Sequence, residues 1–83
     1  MRFSIEQIFL TDSEGKPLSE RSPSAYHFVE ASELDEAIST IVETQHAAIM
    51  GEIQRFSGAR AHVIARRDRT VFALDAAPER DSG

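Results

Sequence analysis

The sequence predicts an α+β domain, an antiparallel β-sheet with a single helix packed on one face, in the order β-β-α-β-β-β. Three observations carry that expectation. A strand-like run, Tyr26-His27-Phe28-Val29-Glu30, gives way to a capped amphipathic helix. Short segments on either side of that helix alternate apolar and polar residues at the period of a strand. Turn residues separate them at Asp12 to Gly15, Ser57-Gly58 and Arg67-Asp68-Arg69.

The elements follow in order. From Arg2 to Leu10, Phe3, Ile5 and Phe9 alternate with Ser4, Glu6 and Ile8, and Gln7 interrupts the apolar face. The second half of this strand is apolar on both faces, which places it inside the sheet or at a bulge. In the turn that follows, Asp12 supplies an Asx-type cap and Gly15 tolerates positive φ. The chain then stays polar to Ser24 and is broken by Pro17 and Pro23, with Leu18 as the one large apolar residue available to tack it down. A second strand spans Ala25 to Glu30. The helix start reads as a capping box, in which Ser32 and Asp35 each accept from the other's backbone N–H. Glu33, Asp35 and Glu36 crowd the first turn, where the helix dipole favours carboxylates. Leu34, Ile38, Ile41 and Val42 then form one apolar stripe, so that face must be buried.

Gly51 argues against continuing the helix past His46 or Ala47, because glycine costs a helix interior about 1 kcal/mol relative to alanine. A third strand through Ile49, Gly51 and Ile53 is expected instead, followed by Arg60 to Arg66 and Thr70 to Asp75. In that register Ala61, Val63 and Ala65 share one face. Met50, Ile64, Phe72 and Leu74 are expected on the opposite, uncovered face, joined by Ile8 and Leu10 if the first strand is unbulged. Residues 1–77 read as one domain with a flexible loop at 12–24, and 78–83 as a disordered tail.

Composition narrows the function classes. The chain has 83 residues, 41% hydrophobic and 28% charged, with a net charge of −5. It is too short for more than one core and too polar for a membrane span. Met1 to Leu10 lacks the basic start and apolar block of an export signal, so a cytoplasmic location is expected. No cysteine is present. Disulfides, thiolate metal sites and cysteine nucleophiles are thereby excluded.

Candidate chemistry is sparse. Glu43 and His46 have the spacing of helix-borne metal ligands, yet the second such pair that a carboxylate-bridged site needs is missing. His27 and His62 fall on strands, and solvent-facing histidines are the simpler reading. Asp12-x-Glu14 begins like a calcium loop but lacks its later ligands. Neither a nucleophile elbow nor a phosphate cradle occurs. The expectation is a protein with no catalytic residues, no metal and no cofactor.

Two features point to binding. Arg55, Arg60, Arg66, Arg67 and Arg69 stand against the single acid Asp68, while the rest of the chain carries thirteen acids and four bases. Arginines on a hairpin grip phosphates, with Phe56 or Phe72 available to stack on a base. Met50, Ile64, Phe72 and Leu74, if uncovered, require a partner. The favoured expectation is a small non-enzymatic module that self-associates as a homodimer or docks onto a protein partner, without a membrane. The alternative is a weak nucleic-acid binder that uses the basic 55–69 hairpin. The strand leading into Ser32-x-Leu34-x-Glu36-Ala37-Ile38 is similar to the strand-to-helix junction of small bacterial antitoxin and phage-encoded proteins. This stretch is common capping chemistry, and the resemblance implies no activity and no site residue.

Overall fold

The computed structural model describes residues 1–20 and 23–79. The elements are β1 (Arg2–Phe9), β2 (Ala25–Glu30), α1 (Leu34–Thr44), β3 (Ala48–Phe56), β4 (Arg60–Arg67) and β5 (Thr70–Pro78). Five strands form one antiparallel sheet in the spatial order β2-β1-β5-β4-β3. The expected α+β order is therefore the order found. The helix leaves one edge strand, β2, and delivers the chain to the other, β3. It crosses a whole face on the way and touches all five strands.

Local chemistry explains the boundaries. β1 pairs with β2 as far as Gln7 and with β5 as far as Phe9, so its doubly apolar end, Ile8 and Phe9, is bonded to β5 alone and carries no bulge. At the helix start the expected capping box of Ser32 and Asp35 does not form. Ser32 Oγ donates to Glu36 Oε2 at 2.5 Å, and Glu33 is the N-cap with no side-chain bond of its own. Asp35 is not available for the box because it holds Arg55 of β3. The helix ends in a Schellman motif. Ala47 N–H reaches Val42 O at 2.9 Å and His46 N–H reaches Glu43 O at 3.1 Å. His46 occupies the left-handed position with φ 54, where glycine is usual. Gly51, with φ 84, sits in a bulge of β3, where Met50 pairs with Ile64 and Gln54 with His62.

The segment after β1 is held against the β4–β5 hairpin. Asp12 Oδ1 accepts from the N–H groups of Glu14 and Lys16, each at 2.9 Å. Thr11 Oγ1 accepts from Val71 N–H, also at 2.9 Å. Gly15 has φ 88, and a Cβ there would meet Arg69 O at 3.3 Å. Leu18 is half-buried and donates its N–H to Leu10 O. At the other end of the fold β5 runs past Asp75 to Pro78, and the Glu79 carboxylate meets Arg2 at 2.8 Å. Of the expected tail, residues 80–83 lie outside the described residues.

The core lies between α1 and one face of the sheet. Leu34, Ala37, Ile38, Ile41 and Val42 pack on Phe3, Ile5, Val29, Ala61, Val63, Ala65, Phe72, Leu74 and Ala76. This corrects the expectation for β5, because Phe72 and Leu74 are 1% and 0% exposed beneath the helix. The cause is register. Leu74 pairs with Gln7 and Val63, and Phe72 pairs with Phe9 and Ala65, all on the covered side. Ala73, between them, is the residue that faces outward. One polar side chain is buried in this layer. Gln7 exchanges two amide hydrogen bonds of 2.8 Å with Gln45 and lies 2.9 Å from His27 Nε2.

Replacing Phe72 by Ala removes the largest core side chain and is expected to cost about 3–5 kcal/mol in urea unfolding. Gln45→Ala leaves the buried Gln7 amide short of partners, and a loss of about 1–3 kcal/mol is expected in the same measurement.

Candidate functional site

Because side chains alternate across a strand, everything one residue out of step with the core projects from the other face. Among the described residues no element covers that face. On β1 these residues are Arg2, Ser4, Glu6 and Ile8, and on β2 they are Tyr26, Phe28 and Glu30. On β5 they are Ala73, Asp75 and Ala77, on β4 Arg60, His62, Ile64 and Arg66, and on β3 Met50, Gln54 and Phe56. Cross-strand pairing aligns them in rows. One row is Ile8, Ala73, Ile64 and Met50. The next is Tyr26, Glu6, Asp75, His62 and Gln54.

The apolar row is continuous and the polar row is internally bonded. Tyr26 OH donates to Glu6 Oε2 at 3.1 Å. His62 Nδ1 lies 2.6 Å from Asp75 Oδ1, with both side chains about a third exposed. A carboxylate only accepts, so Nδ1 carries the proton and Nε2 is left for another partner. Beyond this row lie the aromatics. Phe28 is 54% exposed under the Arg2 guanidinium, 5.1 Å from its ring centre, and Phe56 is 57% exposed at the far edge. A groove of about 450 Å³ opens beside Phe56, lined also by Gln54, Ser57, Arg60, His62 and Asp75.

The five arginines do not gather. Arg55 points to the covered side and forms a forked ion pair with Asp35 of the helix. Arg60 and Arg66 share the uncovered face, but six residues of extended strand separate them by about 20 Å. Arg67 has the parity of the covered face, and Arg69 sits at the hairpin tip with its carbonyl toward Thr11. A continuous phosphate track along this hairpin is therefore absent among the described residues. The three histidines are equally dispersed. His27 turns to Gln7, His62 to Asp75, and His46 has left the helix face that Glu43 occupies. Among the described residues no cluster of three or more histidine or acidic side chains is placed to hold a metal ion.

Of the four expected interface residues, Met50 and Ile64 are on the uncovered face, the first exposed and the second half-buried. Phe72 and Leu74 are not. Tyr26 and Phe28 take their place as exposed apolar groups, and the period-two pattern of β2 around the buried Val29 is the signal that reveals them. No family model, curated protein or solved structure matches this chain, so the site is read from its own residues. No helix among the described residues is long and apolar enough to cross a membrane.

The Arg55–Asp35 pair joins the edge strand to the helix from an exposed position. A double-mutant cycle with Arg55→Ala and Asp35→Ala is expected to return a coupling of about 0.2–1 kcal/mol, falling as salt is raised.

Proposed function

We propose that this protein is a non-enzymatic interaction module that self-associates through the uncovered face of its sheet. The observation that carries the reading is the combination of Phe28, Phe56 and Met50, all exposed, with the apolar row of Ile8, Ala73 and Ile64 on one side of a sheet whose other side holds the entire core. A scattered exposed leucine needs no explanation, whereas a face-wide set of aromatic and aliphatic groups does. Acidic Glu6 lies toward one edge of the face and basic Arg60 and Arg66 toward the other. A second copy turned over the first therefore brings opposite charges together.

Nucleic-acid binding by Arg55, Arg60, Arg66, Arg67 and Arg69 is the competing reading. The two differ in salt response, because phosphate contacts weaken steeply with salt and apolar burial does not. Size-exclusion chromatography with light scattering, recording absorbance at 260 and 280 nm, is expected to give a dimer mass with a protein spectrum. That mass should persist from about 0.1 to 1 M salt. A monomer mass across this range would overturn the reading. A monomer with strong 260 nm absorbance, stripped by salt, would replace it with the basic hairpin.

A further inference from the structure

We infer that the groove beside Phe56 is a socket for a second copy of this chain, filled by Phe28 and Glu6 of that copy about a two-fold axis running along β5. The inference rests on the self-association reading and adds its partner geometry. It starts from the strand order. In β2-β1-β5-β4-β3 the strand β5 is central, β1 and β4 flank it, and β2 and β3 form the edges. Rotating a copy by 180° about β5 turns its open face onto that of the first, lays β1 over β4 and lays β2 over β3. Positions along the strands are unchanged, so each transverse row meets itself reversed.

The pairing register then states what meets what. Ile8 pairs with Ala73, and Ala73 with Ile64, so Ile8 of each copy faces the partner's Ile64 around two central Ala73 residues. Glu6, Asp75 and His62 share a row, so Glu6 faces the His62 side of the partner, beside its Arg60. Phe28 pairs with Ser4, and Phe56 with Arg60, one step beyond on the same side. Phe28 therefore faces the partner's Phe56 and Ser4 faces the partner's Arg60. Aromatic meets aromatic and aliphatic meets aliphatic, the Glu6 carboxylate enters beside Arg60, and on the axis Asp75 meets the partner's Asp75, each held by its own His62. In the groove Phe56 meets the incoming ring and the Arg60 guanidinium meets the incoming carboxylate, while the lining Asp75 is turned to its own His62. Both halves are supplied twice, as an isologous interface requires.

The alternative two-fold axis, across the strands, reverses the rows and loses this match. It sets Ile8 against Ser4 and Arg60 against Ile64, and it places Phe56 over Met50, so the aromatic pair and the opposite charges no longer meet. Area is adequate for the match to operate. Five strands at about 4.8 Å and eight residues at about 3.3 Å give roughly 600 Å² per copy, so about 1,200 Å² in the pair, the lower end of stable interfaces. Aligned sheets cross at about 30°, which keeps the central rows in register and shifts the corners by a few ångströms.

The absence of cysteine makes the geometry directly testable. Phe28→Cys and Phe56→Cys are prepared separately, mixed, and treated with a bismaleimide of about 10 Å reach, matching the spacing of packed sheets. The mixture is expected to give a covalent dimer of one variant with the other. Either variant alone should not, since like positions lie about 19 Å apart laterally across four strand spacings. Glu6→Arg and Arg60→Glu, each alone, are expected to weaken dimerisation of the full chain by about tenfold or more, and the double variant to recover most of it. A dimer mass with no mixed cross-link, or with cross-links within one variant only, would overturn this geometry and leave the self-association reading standing. A monomer mass for the unaltered chain would overturn both.

Discussion

The structure depends on a single allocation of faces, in which one helix has to bury the apolar side of five strands. Its stripe of Leu34, Ile38, Ile41 and Val42 can cover only one side. The strands meet that limit by size. β4 presents Ala61, Val63 and Ala65, and β5 adds Ala76, so the helix can sit close while Phe72, Ile5 and Leu74 fill the space between. Fully burying each large side chain supplies about 1.5–3 kcal/mol. What remains on the second side is everything the helix could not reach, including exposed Phe28, Phe56 and Met50.

Gln7 shows how firmly the allocation is held. It sits in the middle of β1 at a position whose parity demands an apolar residue, and there it is 2% exposed. The cost of burying an amide is offset by Gln45, the residue that caps the helix, and by His27 of the edge strand. Three elements meet at one small polar network. A slip of either neighbour by one residue would orphan it, so the amide pair fixes the helix end relative to β1 and β2 more sharply than apolar contacts alone would.

Much of this was legible in the sequence, because it rests on short-range chemistry. Helix polarity, the break after His46, the Asx turn at Asp12 and all five strands follow from spacing and turn residues. The face of β5 was not legible. Val71, Phe72, Ala73 and Leu74 are all apolar, so parity has no polar marker there, and the correct register comes from pairing with Gln7 and Ala65, far apart in sequence. The capping box fails for a similar reason, because a β3 arginine twenty residues away takes the Asp35 carboxylate and Ser32 turns to Glu36 instead. The candidate site suffered the same limit. Five arginines close in sequence look like a patch until alternation and one tertiary ion pair distribute them over two faces.

Strand edges offer another route to association, and the edge chemistry disfavours it. β3 is the exposed edge most open to pairing, but its register shifts between Met50 and Gln54, where Gly51 adopts φ 84 and Glu52 is exposed. A bulge with a charge beside it twists the edge and interrupts the ladder that a second chain would need. β2, the opposite edge, spans only Ala25–Glu30 and ends in an acid. Short length and terminal charge blunt it as well. With both edges blunted in this way, the second copy that we propose gains apolar burial on the uncovered face, where Phe28, Phe56 and Met50 are exposed, without breaking a backbone pattern.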